Sequence, residues 1–423
     1  MNVKQRWLAF CCCLAYFASY TTRINYVAVR IAIADELSLS HPELVAELGL
    51  AISLASITYG LGQLVSGLLG DRFPPTLLVC AGLGGAVVCN LLMPILYPSV
   101  YLLAAVWGIN GFFQSLIRPP LGRIISANYD EKGYLSACVA VSNASQVATI
   151  LVYLVIPFCL QISDGEWRLA FYLPVAVGAL AIAFWIFLVP KLCSQSDSVV
   201  AQCTRTEQKS EENAPKTRSL LSVIFDSGLI WFIPAVLVHG LLRDGITAWM
   251  PDFIVEIGGL GTGASILTTA ILPVFCILCV TLAKKLCCVI SQDGHSSALL
   301  FVISVVASAA IIPLLSVVNT VTFAIIVFLM ALITGCMHGA NHIFITRMPI
   351  AFKRSGRVSG AVGVLNAVTY VGGALSPYAV ALVAGAGGWN NAVLLWVVLG
   401  TLSIILCLAG CRKWSTFKRN GMQ

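Results

Sequence analysis

Ser136–Asn143 reads SACVAVSN and Ser359–Asn366 reads SGAVGVLN, with the two closing asparagines 223 positions apart. Other landmarks recur at nearly the same interval. Gly111 of INGF and Gly335 of ITGC are 224 apart, Trp167 and Trp389 are 222 apart, and Arg23 and Arg243 are 220 apart. A constant interval of about half the chain marks two copies of one unit.

Each copy is built for a bilayer. Of the 423 residues, 59% are hydrophobic and only 10% charged, and the mean hydropathy is +0.92. A soluble domain of this size carries more charge. Apolar runs of roughly 20 residues or more, the length that crosses a membrane as a helix, fall near 7–34, 47–70, 76–97, 100–125, 135–160 and 168–190. In the second half they fall near 224–256, 262–283, 297–318, 320–346, 357–384 and 389–411. Six spans per half give both copies the same orientation, a parallel repeat about an axis along the membrane normal. The expected fold is therefore all-α and integral to the membrane, with twelve transmembrane helices in two parallel six-helix repeats, 1–190 and 221–423. A polar stretch, 191–220, rich in Ser, Gln, Glu and Lys, reads as a cytoplasmic linker, with a regulatory role as the alternative. The first span is too long for a cleaved signal peptide and lacks a small-residue cleavage site, so it is expected in the mature protein.

The charge pattern sets the orientation. With both termini inside, all but five of the 25 Lys and Arg residues lie on the cytoplasmic side, as the retention of basic loops requires. The five are Arg168 at an outer helix end and Arg23, Arg30, Arg118 and Arg243 within spans. Asp35, Glu36, Glu43, Glu47, Asp164, Glu166, Asp252 and Glu256 gather on the outer side. The net charge of +7 thus reflects topology and gives no support to a nucleic-acid partner. No HExxH, P-loop, G-x-S-x-G or dinucleotide fingerprint occurs, so no enzyme and no cofactor are expected. His338 and His342 share a helix face but lack further ligands, so no metal is expected. The 16 cysteines, including Cys11–Cys13 and the Cys276/Cys279 pair, read as small hydrophobes.

Arg23 and Arg243 are the informative residues. A guanidinium at bilayer depth costs on the order of 3 kcal/mol on insertion scales and cannot shed its proton. Asp244 adjoins Arg243 and is expected to point about 100° away around a helix, while Arg23 has only apolar residues, Thr and Asn nearby in sequence. The expected partner is an anion from water, bound near the midplane at the interface of the halves. A phosphate monoester, with a charge of roughly −1.5 to −2, suits two arginines whose planar forks match paired oxygens. Structural pairing with carbonyls or a distant carboxylate is the alternative. Arg30 can snorkel outward. Arg118 stays undecided between ligand and structure.

Five stretches carry a family resemblance: AYFASYTTRINY (15–26), YGLGQLVSGLLGDR (59–72), RPPLGR (118–123), WRLAFYLP (167–174) and LLRDGITAWMPDF (241–253). With them the chain resembles major facilitator superfamily transporters, and within that group the organophosphate:phosphate antiporters, which include glycerol-phosphate and hexose-phosphate exchangers. The resemblance implies that Arg23 and Arg243 bind phosphate and that Tyr16, Tyr20 and Tyr370 line the cavity. The chain departs from the family at Gln63, where bacterial members commonly have lysine, and at Asn143, where some have histidine. It departs also at His338, for a tyrosine, and at Arg118, for an aromatic. These positions are further substrate-binding candidates. Gly67, Gly70, Asp71 and Arg72 fit the inner loop between the second and third helices, where Asp71 and Arg72 are gating candidates. The counterpart around Lys284 and Lys285 lacks an Asp.

The expected function is alternating-access exchange of phosphorylated small metabolites for inorganic phosphate, by a monomer in the plasma (inner) membrane. An empty cavity holding two uncompensated cations would cross reluctantly and so couple influx to efflux. The alternatives are a proton-coupled carrier of another organic anion or drug, using His239, His338, His342 or Asp244, and a transporter-like sugar-phosphate sensor. Cysteines introduced at Ser198 and Ser40, in a background without reactive thiols, should label from opposite sides of the membrane. Labelling of both from outside intact cells overturns the twelve-span topology.

Overall fold

The computed structural model describes residues 3–38, 48–163, 165–193, 220–259, 268, 271–290, 292–355 and 357–422. The linker falls almost wholly outside them. The described residues form helices and no strand, as a bilayer demands of any open chain, because each backbone group must find its partner within the segment. In chain order these are α1 (Val3–Glu36), α2 (Gly49–Arg72), α3 (Pro75–Leu96), α4 (Val100–Ser115), α5 (Arg118–Asn128), α6 (Glu131–Ile162) and α7 (Leu169–Leu192). There follow α8 (Leu220–Ser227), α9 (Ile233–Gly258), α10 (Ile271–Val289), α11 (Asp293–Leu314), α12 (Thr320–Asn341) and α13 (Val358–Met422).

All twelve expected spans have a helix. Among the described residues ten stretches are long and apolar enough to cross a membrane. The other two are α1, whose hydropathy is lowered by Ser19, Thr21, Thr22, Arg23 and Asn25, and α10, preceded by residues outside the described set. The long α13 contains two spans, Val358–Ser376 and Gly388–Arg419. Gly388 between them takes a left-handed φ of +71°, a conformation glycine adopts without steric cost. Exposed apolar side chains such as Leu61, Leu180 and Phe187 are solvated by lipid rather than water.

The chain divides into two compact units, residues 1–223 with 355–364 and residues 224–354 with 365–423. In the first, α1 packs on α6 and α7, α2 on α4, and α3 on α4 and α7. In the second, α12 packs on α9, α10 and α11. The shared contacts rest on the repeated glycines. A Cβ on Gly111 would strike the Ala55 carbonyl and lie 2.6 Å from Thr58 Oγ1. A Cβ on Gly335 would lie 2.6 Å from Cys279 Sγ and 3.1 Å from the Phe275 carbonyl. Each glycine thus lets the fourth span of its half cross the second at backbone distance.

A second equivalence caps one end of each unit. Trp167 Nε1 donates to Glu36 Oε2 in the first, and Trp389 Nε1 donates to Glu256 Oε2 at 3.0 Å in the second. Arg168 adds ion pairs to Glu36 at 3.1 Å and Glu166 at 2.9 Å. Burial raises the Glu36 pKa, but hydrogen bonds from Trp167 and Arg168 outweigh it and hold the carboxyl below its ordinary value. At the other end of the second unit, buried Asp293 forms an ion pair with Arg347 at 2.8 Å and accepts from Trp414 at 2.7 Å and Lys418 at 3.4 Å. The acid missing beside Lys284 and Lys285 in sequence is therefore supplied a few residues later.

Because the glycine crossings admit no side chain, Gly111→Leu and Gly335→Leu should each lower stability by about 1–3 kcal/mol, the usual cost of overpacking. An unchanged thermal unfolding midpoint in either purified variant would contradict the crossing described for that half.

Candidate functional site

The first unit gathers its candidates along α1. Tyr16, Tyr20 and Arg23 are spaced by four and three residues and so share one helix face. The Tyr16 and Tyr20 ring centroids are 5.1 Å apart. Arg23 Cζ lies 5.7 Å from the Tyr20 centroid and 4.1 Å from that of Tyr59 on α2. At the other end of the tyrosine pair, Arg118 Cζ lies 5.5 Å from the Tyr16 centroid. A continuous run, Arg118, Tyr16, Tyr20, Arg23 and Tyr59, results. Guanidinium–ring contacts contribute about 0.5–2 kcal/mol, against an insertion cost of roughly 3 kcal/mol. The rings therefore help to orient the half-buried Arg23.

Tyr59 is a site residue that the sequence reading did not single out, although it opens one of the five family stretches. A second unforeseen element is a buried polar ladder that fixes the rotation of α1. Ser19 donates to Gln114 Oε1, and Gln114 Nε2 donates to Thr22 Oγ1 at 2.9 Å. The Thr22 carbonyl accepts from Asn90 at 2.9 Å and Asn110 at 3.1 Å. Asn25 donates to Asn90 Oδ1 at 2.8 Å and to the Ala170 carbonyl at 2.9 Å. Its signal in sequence was a set of amides and hydroxyls inside apolar spans, where an unmet polar group is costly.

The remaining candidates of this unit divide. Gln63 is fully buried and donates to the Ser115 carbonyl at 3.4 Å. Asn143 is half-buried on α6, and its Oδ1 accepts no hydrogen bond among the described residues. Asp71 and Arg72 end α2, but their side chains are not among those described. Gly67 does permit close packing: a Cβ there would lie 3.0 Å from both Gly363 Cα and the Ser359 carbonyl.

In the second unit Arg243 corrects the sequence expectation. Its Nε donates to Asp244 Oδ1 at 2.6 Å and its Nη2 to Oδ2 at 2.8 Å. Adjacent Cβ atoms do diverge by about 100° on a helix, but the long arginine side chain folds back and brings its fork to the neighbouring carboxylate. Gly373 supplies the room, since a Cβ there would collide with Asp244 Oδ2. The pair uses one edge of the guanidinium. Arg243 Cζ also lies 5.7 Å from the Tyr370 ring centroid, which brings two expected site residues together. His338 is half-buried on α12. His239 is buried, with Nδ1 2.8 Å from the Val236 carbonyl.

Replacing either arginine by lysine keeps the charge and removes the planar fork. Arg23→Lys and Arg243→Lys should each weaken phosphate binding at least ~10-fold, about the worth of one charge-assisted hydrogen bond. Wild-type phosphate affinity in a titration of either purified variant removes that arginine from the site.

Several known proteins are similar to this chain. The glycerol-3-phosphate transporter of Bacillus subtilis is 27% identical over 262 residues, 58% of this chain and 56% of its own length. That of Haemophilus influenzae is 24% identical over 279 residues, 60% of this chain and 57% of its own length. The chain spans about half the length of these curated relatives. A bacterial homologue of the iron transporter ferroportin, solved in an outward-facing state, superposes with a TM-score of 0.71 at 12% identity, covering 98% of this chain and 100% of its own. That likeness concerns the fold alone. Residues 8–360 match the family model of the Major Facilitator Superfamily, and the chain belongs to that superfamily of multi-pass membrane transporters, which are not enzymes.

Proposed function

We propose that this chain is an alternating-access exchanger of phosphorylated small metabolites against inorganic phosphate. Arg23 and Arg243, one from each half, are its phosphate-binding groups. The observation that carries the reading is the housing of Arg23: a half-buried guanidinium inside a span, set against the rings of Tyr59 and Tyr20. Such a group selects anions, and its planar fork suits a phosphoryl oxygen pair. The glycerol-3-phosphate transporters among the relatives support a phosphate ester as the anion. The protein acts as a monomer in the plasma (inner) membrane with both termini cytoplasmic, as the basic-residue asymmetry suggests.

The Arg243–Asp244 pair alters how coupling arises. The unloaded carrier does not hold two uncompensated cations, because Asp244 neutralises Arg243. An anion arriving at Arg243 meets the carboxylate's repulsion and competes with it for the fork, so substrate entry loosens the pair. This links binding to a side-chain rearrangement in the second half.

The same pair gives a specific alternative. A carboxylate within a span is a common proton carrier, and Asp244 would serve a proton-coupled transporter by gaining a proton as Arg243 lets go. The two readings part in proteoliposomes. Under exchange, uptake of labelled glycerol 3-phosphate follows the internal phosphate concentration and survives collapse of the pH gradient. Asp244→Asn should then keep exchange and bind phosphate more tightly, since Arg243 loses its competitor. Uptake into phosphate-free vesicles that vanishes with a protonophore and is lost in Asp244→Asn makes the protein proton-coupled instead.

A further inference from the structure

The last span is longer than a bilayer is thick. Gly388–Arg419 is one helical stretch of 32 residues, about 48 Å at 1.5 Å per residue, against a hydrocarbon core of about 30 Å. Its first turn is pinned at one membrane face, where Trp389 donates to the exposed Glu256. About 20 residues on, near Leu408, the helix leaves the apolar core. Arg412, Lys413 and Arg419 follow at the depth of the headgroups. These turns are docked on the second unit. Buried Trp414 donates to Asp293 at 2.7 Å, Lys418 reaches the same carboxylate at 3.4 Å, and the Trp414 and Phe417 rings lie 6.0 and 5.6 Å from that of Phe352. The opposite face is exposed. It carries Val398, Leu402, Ile405, Leu408, Arg412, Thr416 and Arg419, each three or four residues after the last, and so forms one stripe that is apolar below and basic above.

We propose that this stripe, with Trp231 beside it, binds an acidic phospholipid, its acyl chain along Ile405 and Leu408 and its headgroup at Arg412, Lys413 and Arg419. Depth is the first support, since the basic groups begin where the core ends. The aromatic neighbour is the second. A Cβ on Gly410 would lie 3.0 Å from Trp231 Cβ, which places this exposed indole at the edge of the core, the level that suits an apolar ring with a polar N–H. One step beyond, a Cβ on Gly228 would lie 2.9 Å from Lys413 Cβ, and Lys413 Nζ donates to the Phe225 carbonyl at 2.9 Å, so the basic and aromatic groups belong to one packed surface. Charge is the third. The acids at this end of the second unit, among the described residues, are Asp293, which is buried and engaged by Arg347, Trp414 and Lys418, and the exposed Asp226. Three exposed basic groups therefore face one exposed acid. A zwitterionic headgroup brings an ammonium with its phosphate and gains little there, whereas an acidic headgroup brings net negative charge. The apolar part of the stripe distinguishes a lipid from a free phosphate, which has no chain to lay along it.

The test is a lipid titration of the purified full chain in mixed micelles, with phosphatidylglycerol, phosphatidylethanolamine and phosphatidylcholine of matched acyl chains, read as the rise in thermal unfolding midpoint that binding to the folded state produces. Wild-type protein should be stabilised at a lower mole fraction of phosphatidylglycerol than of either zwitterionic lipid. In Arg412→Gln/Arg419→Gln, which leaves the Lys413 bond to Phe225 in place, the half-maximal mole fraction of phosphatidylglycerol should rise at least about tenfold, with the phosphatidylcholine curve unmoved. Arg412→Lys/Arg419→Lys, which keeps the charge, should retain the preference. Where the Gln variant does not accumulate, salt decides on the wild type: the preference should fade towards roughly 1 M, where the screening length is about 3 Å. Saturating inorganic phosphate should leave the preference in place. Equal response to the three lipids, a preference unmoved in the Gln variant or undiminished by salt, or its abolition by inorganic phosphate, which marks a site for free anions, overturns the proposal.

Discussion

A guanidinium keeps its proton at any depth in a bilayer, and three of those inside the spans of this chain are housed in different ways. Arg243 is met by a carboxylate on the next residue, at 2.6 and 2.8 Å. Arg118 lies against the face of Tyr16 at the point where a helix is broken. Arg23 is held by two tyrosines, 4.1 and 5.7 Å away. The surrounding structure answers to these placements. Gly373 clears space for Asp244, Gln63 takes up the carbonyl at the break, and the amide ladder from Asn25 to Gln114 fixes the rotation of α1.

The two halves repeat several packing landmarks and differ in chemistry. Gly111 and Gly335 perform the same packing task against the second span of their halves, and Trp167 and Trp389 clasp equivalent glutamates. The polar content does not repeat. Gln114, a member of the ladder in the first half, corresponds at the 224-residue interval to His338, and Asn25 corresponds at the 220-residue interval to Gly245. Where the first half orients its arginine-bearing helix by amide hydrogen bonds, the second packs α9 against α13 by close backbone approach. Added Cβ atoms on Gly240 and Gly372 would strike the Thr369 and Leu237 carbonyls.

The fold was legible because a bilayer leaves few choices: apolar length gives the spans, and a constant interval between landmarks gives the repeat. The arginines were legible for the same reason, since a charge in such a span stands out. What escaped was reach. Angular position on a helix describes a Cβ, and it misplaced Asp244 because the arginine side chain is long enough to return to its neighbour. The interrupted fourth span escaped too, although Arg118-Pro119-Pro120 carries a readable signal in two successive residues without N–H groups. Tyr59 was hidden because an aromatic in an apolar span is compatible with lipid, core and ligand alike. Only its place above Arg23 separates these roles.

The pairing of Arg243 bears on how binding and movement would be linked in the proposed exchange. Leaving that guanidinium bare inside a span would cost stability, because breaking a buried ion pair by loss of one partner destabilises by about 3–5 kcal/mol. Asp244 relieves that cost and holds the guanidinium in place through two hydrogen bonds. In the proposed exchange a substrate anion would have to draw the fork away from Asp244, so that binding in the second half would be tied to a side-chain rearrangement there.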